Sequence, residues 1–156
     1  MNGAVMAEQE KVTREEMVRL LNEDLAREYQ AVIAYVVYSQ VLKGAEYMSI
    51  AEELVTHASE ELSHALKISK HIDYLGGMPT VAPKPVVQSD DARTMLRADL
   101  DNETETIRNY TQRVRECEAL GEYAIAEDIG EILRDEQEHQ IDLATALGED
   151  VPPIKR

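Results

Sequence analysis

EILRDEQEH, residues 131–139, sets a glutamate and a histidine three positions apart, Glu136 and His139, and ASEELSHAL, residues 58–66, sets Glu61 and His64 the same way. Residues three apart share one face of an α-helix, so each pair can present both groups to the same neighbour. The two pairs stand 75 residues apart (136 − 61). The same offset carries Asp24, Leu25, Glu28 and Tyr35 onto Asp99, Leu100, Glu103 and Tyr110, and Glu60 onto Asp135. The chain reads as a duplicated hairpin. In each half a lone glutamate precedes the glutamate of the pair by 33 residues (61 − 28 and 136 − 103), so folding the half at its midpoint brings the two to one height. Those midpoints fall beside Gly44 and Gly121, residues suited to turning the chain.

The length of 156 residues suits one domain, and a composition with no Trp, no Phe, seven Gly and five Pro predicts long helices and no sheet. Thr13 followed by Glu16 offers a capping box for a first helix, which runs to about Lys43. A second runs from about Ala45 to Leu75 and is stopped by Gly76, Gly77 and Pro79. Pro83 and Pro85 make Thr80 to Gln88 an extended crossover. Ser89 and Asp90 are the candidate N-caps of a third helix reaching about Leu120, and a fourth ends at Gly148. The expected organisation is a loose arm over 1–12, an antiparallel four-helix bundle over 13–148 and a tail over 149–156. One long connection, between the second and third helices, joins two tight hairpins.

A net charge of −15 excludes a phosphate-binding surface and predicts a field that concentrates small cations, with no direct nucleic-acid partner. Cys117 is the single cysteine and has no partner for an intrachain disulfide. No segment combines the basic start and apolar run of a signal peptide or has the length of a membrane span, so a cytoplasmic location is expected.

Helical phase turns the acidic groups inward. Glu28 lies among Leu21, Leu25, Val32 and Leu42, and Glu61 and His64 among Ile50, Leu54, Ile68 and Leu75. Glu103 lies among Leu96, Leu100, Ile107 and Val114, and Glu136 and His139 among Ile125, Ile129, Ile132 and Leu143. Four ionised carboxylates in one apolar core cost several kcal/mol per charge, order of magnitude, unless cations accompany them. Two divalent metals neutralise all four. Carboxylate oxygens with two neutral imidazoles suit iron or manganese rather than the thiolate tetrahedron of structural zinc.

With MLRADL at 95–100 and EILRDEQEH at 131–139, the sequence resembles the bacterioferritin branch of the ferritin-like di-iron superfamily, from the first helix through the fourth. The resemblance implies a ferritin-like bundle holding two iron ions, with manganese or zinc able to substitute. It implies Glu28, Glu61, His64, Glu103, Glu136 and His139 as ligands, Glu61 and Glu136 as bridges, and Glu60 and Asp135 as the groups that orient the histidines. Bacterioferritins bind haem through a methionine directly after the first pair's glutamate; Leu62 stands there, so haem is not expected. Their cages also carry a short fifth helix, for which the tail with Pro152 and Pro153 is too short and too broken, leaving a smaller shell, a dimer or another assembly open.

Tyr35 and Tyr110 follow ligand glutamates by seven residues, which lets them hydrogen-bond the opposite carboxylates or give electrons to an oxidised cluster, with packing their main role. His57, one turn before Glu61, reads as a core or rim histidine with access or a third metal as the alternative, and His71 as structural. Cys117, about 21 Å along the helix from Glu103, reads as a buried apolar group. The expected activity is ferroxidation of Fe(II) by dioxygen or hydrogen peroxide, for iron storage or detoxification, in a homo-oligomer. Two alternatives stand beside it: a non-storing di-iron oxidase or peroxidase resembling the erythrins, and a Dps-like protective shell.

Overall fold

A computed structural model describes residues 12–153. They form four helices with no strand among the described residues: α1 (Arg14–Val41), α2 (Met48–Tyr74), α3 (Ala92–Leu120) and α4 (Tyr123–Leu147). The expected arm, apart from Val12, lies outside the described residues, and Glu149 to Pro153 contain no helix.

Helix ends follow local chemistry. The Thr13 hydroxyl accepts from the Glu16 N–H at 3.1 Å and starts α1. The second helix begins later than Ala45, because Ala45–Tyr47 forms a 3-10 turn first. The third is capped by Asp91 rather than by Ser89 or Asp90: its carboxylate accepts from the Thr94 N–H at 2.9 Å and the Thr94 hydroxyl at 2.7 Å. Ser89 instead accepts from the Asp91 N–H, steadying the approach. Gly121 and Gly148 end α3 and α4 with φ of 83° and 71°, a left-handed conformation that favours glycine.

Helices α1 and α2 pack as one hairpin and α3 and α4 as the other, with further contacts of α1 on α3 and α2 on α4. The first hairpin ends near Met17 and Ile72, while α3 begins near Leu42 and Leu54, so the chain must travel the length of the bundle between them. It does so along α1. Asn22 donates to the Met78 carbonyl and accepts from the Thr80 N–H, the Lys84 N–H donates to the Ala26 carbonyl, Gln30 donates to the Pro85 carbonyl, and the Tyr38 hydroxyl donates to the Val87 carbonyl. The prolines forbid helix here, and these bonds satisfy backbone groups that helix would have paired.

The apolar core is in two parts. Met17, Leu21, Leu25, Ile68, Ile72, Cys117 and Ile129 fill one end, and Tyr38, Leu42, Leu54, Met95, Leu96 and Leu143 the other. On every helix the inward glutamates and histidines Glu28, Glu61, His64, Glu103, Glu136 and His139 fall between the two.

Candidate metal centre

The hydrophobic stripes bury the acids with them, because each acid shares the phase of its stripe. Glu28, Glu61, His64, Glu136 and His139 are each 1% exposed and Glu103 is 3% exposed. Four helices thus deliver six side chains to one place. They form two overlapping groups: Glu28, Glu61, His64 and Glu136, and Glu61, Glu103, Glu136 and His139, each with one donor atom per residue and all four atoms within 4.8 Å. Glu61 and Glu136 belong to both groups.

Each histidine is fixed by a carboxylate from the helix opposite. His64 Nε2 donates to Asp135 at 2.8 Å, and His139 Nε2 donates to Glu60 at 3.1 Å. Carboxylates only accept, so Nε2 carries the proton and Nδ1 is turned to the acids. His64 Nδ1 lies 2.8 Å from Glu136, and His139 Nδ1 lies 2.9 Å from Glu61. Tyr35 donates to Glu103 at 2.5 Å and Tyr110 donates to Glu28, each reaching across to the other half of the repeat. Burial, then the neighbouring acids, push both phenols well above the ordinary tyrosine range, which keeps them as donors.

Without cations the charges compete. Burial and the charges of neighbouring glutamates push Glu61 and Glu136 well above the ordinary carboxylate range. Burial opposes ionisation of Glu103 too, but Glu136 and His139 bring it down to about 2. Burial works against both imidazolium forms, yet carboxylate partners raise His64 and bring His139 up to about 9.

Whether the residues fit a metal pair is decided by what they leave unpaired. With both imidazoles neutral and protonated on Nε2, Glu28 Oε2, Glu61 Oε1, His64 Nδ1, Glu103 Oε2, Glu136 Oε1 and His139 Nδ1 are buried atoms without a hydrogen-bond partner, although two nitrogen–oxygen pairs among them stand at 2.8 and 2.9 Å. That is one such atom on each of the six. Buried polar atoms are rarely left so, and cations bound between them would satisfy all six at once.

His57 stacks on His139 with ring centroids 3.9 Å apart, donates to Asp142 at 3.0 Å, and forms with Glu53 and Asp142 a third group whose donor atoms also lie within 4.8 Å. His71 donates to Asp128 at 2.7 Å at the far end of the same seam. Cys117 is fully buried against Met17, and burial pushes its thiol up to about 12. Sequence reasoning missed Arg113, which grips Asp24 through Nε at 2.7 Å and Nη2 at 3.2 Å in the core. The signal was present only as a break in the repeat, since 113 − 75 is 38 and Tyr38 is no arginine.

The comparisons with known proteins agree with this architecture. A bacterioferritin of Brucella melitensis is 29% identical over 143 residues, covering 86% of this chain and 88% of that one. A crystal structure of ferritin-like, diiron-carboxylate proteins from Bacillus anthracis superposes with a TM-score of 0.82 at 32% identity, covering 86% of this chain and 96% of that one. A dodecameric thioferritin, the bacterioferritin-related protein of Bacteroides fragilis, superposes with a TM-score of 0.81 at 26% identity, covering 88% of each chain. With the ferritin-like domain matching residues 18–150, the chain belongs to the ferritin-like family.

Proposed function

We propose that the chain is a ferroxidase that takes two ferrous ions as substrate, one at Glu28, Glu61, His64 and Glu136 and the other at Glu61, Glu103, Glu136 and His139. The observation that carries this reading is the single unpartnered buried atom on each of the six side chains. Glu61 and Glu136, common to both groups, would hold both ions. Asp135 and Glu60 hold the Nε2 protons and so present Nδ1 of each histidine as the donor, while Tyr110 and Tyr35 steady the non-bridging Glu28 and Glu103.

Each ferrous ion gives up one electron. The two electrons, with two protons, reduce dioxygen to hydrogen peroxide, or reduce hydrogen peroxide to two waters. Carboxylates favour the ferric product because its extra charge is better matched by four acids than the ferrous charge is. Burial keeps bulk water from the reacting ions.

Storage or detoxification within a homo-oligomer is the role this chemistry serves. Val55, Leu62 and Leu66 on α2 and Ile33, Val36 and Val37 on α1 are exposed apolar side chains that a second copy would cover. Among the described residues no helix is long and apolar enough to cross a membrane. A shell of the size named for the Bacteroides relative accommodates the protective alternative as well.

Aerobic ferrous titration followed by size-exclusion chromatography separates these roles. Hundreds of irons co-eluting with one large particle, orders of magnitude beyond a two-metal site, is the expected result. Saturation near two irons per chain would favour the non-storing oxidase or peroxidase, and an absence of binding would overturn the metal centre.

A further inference from the structure

The 75-residue repeat supplies an internal control for how cations reach the centre. Asp24 and Asp99 occupy equivalent positions, each one turn before a glutamate of the cluster, and both are buried, at 1% and 3% exposure. Asp24 is locked. Arg113 grips it with two nitrogens and Arg27 lies 3.8 Å away on its other side. Arg113 has Tyr38 as its counterpart in the other half, and the Tyr38 hydroxyl is spent on the Val87 carbonyl of the crossover. Asp99 therefore has no basic partner. Its Oδ2 is a buried oxygen without a hydrogen bond, and among the described residues the Asp99 side chain makes no hydrogen bond or ion pair.

Asp99 lines a small cavity. It sits between α1 and α3 with about 10 Å³ of free space, room for about one water. Its outer wall is made by the half-buried Arg27, Gln30, Asn102 and Thr106, and its floor by the carboxylates of the metal centre. Both members of the pairs Glu28 and Glu103, and Glu61 and Glu136, line it, but only Tyr35 and Asp99 of the pairs Tyr35 and Tyr110, and Asp24 and Asp99. The opening leans to the side without the arginine lock. Arg27 at the mouth has its charge shared between Asp24 and Glu105, both at 3.8 Å.

We infer that divalent cations enter the centre from this side only, and that Asp99 is the transient ligand that receives the ion in the cavity and passes it to Glu103. This rests on the two-metal reading of the six-residue cluster. The other side is closed by the buried Arg113, whose guanidinium grips Asp24 and repels an approaching cation. On the open side, burial and the charge of Glu103 push the Asp99 carboxyl well above its ordinary range, and a cation bound there offsets both.

The test is anaerobic loading of Co²⁺ into the metal-free full chain, followed by stopped-flow absorbance for rate and by equilibrium titration for capacity and affinity. Asp99→Asn keeps the shape and removes the ionisable oxygen. It is expected to slow loading by about 10-fold or more, the scale of cation steering by a charged cleft. Capacity and affinity stay at wild-type values, because release slows by the same factor. Asp99→Glu, which restores a carboxylate, should recover most of the rate. Equal loading rates in wild type and Asp99→Asn would overturn this inference alone. A lower capacity in Asp99→Asn would also overturn it, by making Asp99 a resident ligand. Wild-type protein that takes up no cobalt would overturn the two-metal reading and this inference with it.

Discussion

His139 moves from an ordinary 6.5 to about 9 in the metal-free core, where burial opposes and Glu103 and Glu136 favour the imidazolium. A group raised on folding contributes stability in full below its unfolded value and loses it as pH climbs through the folded one. The metal-free protein should therefore lose stability between pH 6.5 and about 9. His64 shifts in the same direction, and the raised Glu61 and Glu136 likewise stabilise only while protonated. Glu103 moves from 4.5 to about 2, so its contribution is present above 4.5 and constant across this window. Metal binding must expel the proton from each imidazole, so affinity for Zn²⁺ should rise over the same range. Thermal melts without metal and Zn²⁺ titrations, run in parallel, should thus trend oppositely with pH. Melting temperatures that climb toward pH 9 would contradict the assignment of charge in the empty core.

At the scale of the helix, Arg113 is a buried ionic tie between α1 and α3. Arg113→Leu would leave Asp24 buried without its partner, at a cost of about 3 to 5 kcal/mol. Adding Asp24→Asn should recover most of that, because the buried charge goes with its partner; urea unfolding of the two variants measures both effects. The helices themselves were legible in the sequence. Glycines 44, 121 and 148 and the prolines of the crossover punctuate the chain by backbone geometry, which needs no tertiary context. The six inward acids and histidines were legible as positions on faces, since period and repeat spacing are one-dimensional quantities. Three things were not. The N-cap at Asp91 lies one residue beyond the acid expected, among three adjacent residues that can all cap. The crossover's path along α1 depends on side chains such as Asn22 and Gln30 bonding to its backbone, and no composition encodes that. Arg113 pairs with a residue 89 positions away, and Asp142 with His57 at a separation of 85, across helices that only the folded bundle brings together.

For the molecule as a whole, a polar layer contributed by all four helices separates two apolar cores. Cations bound there join both hairpins, so binding stabilises the folded bundle in proportion to its affinity. Wild-type protein should show a higher melting temperature with Mn²⁺ or Zn²⁺ than without. The double variant Glu61→Gln, Glu136→Gln removes two buried acids while keeping their bulk. Its metal-free melting temperature should equal or exceed that of wild type, the metal-induced rise should vanish, and ferrous oxidation should be abolished. Oxidation at the wild-type rate in that variant would remove the cluster from consideration as the reacting centre.

Two copies of either hairpin alone would assemble a symmetric object. Paired second hairpins would set Arg113 against Asp99 twice, and paired first hairpins would leave Tyr38 beside an unlocked Asp24 twice, much as Tyr38 now stands within electrostatic reach of Asp99. Neither ancestor-like dimer can own a front and a back. By fusing the halves and letting position 38 and position 113 diverge, a single chain acquires a direction: one polarity of approach to a centre whose ligands remain nearly twofold.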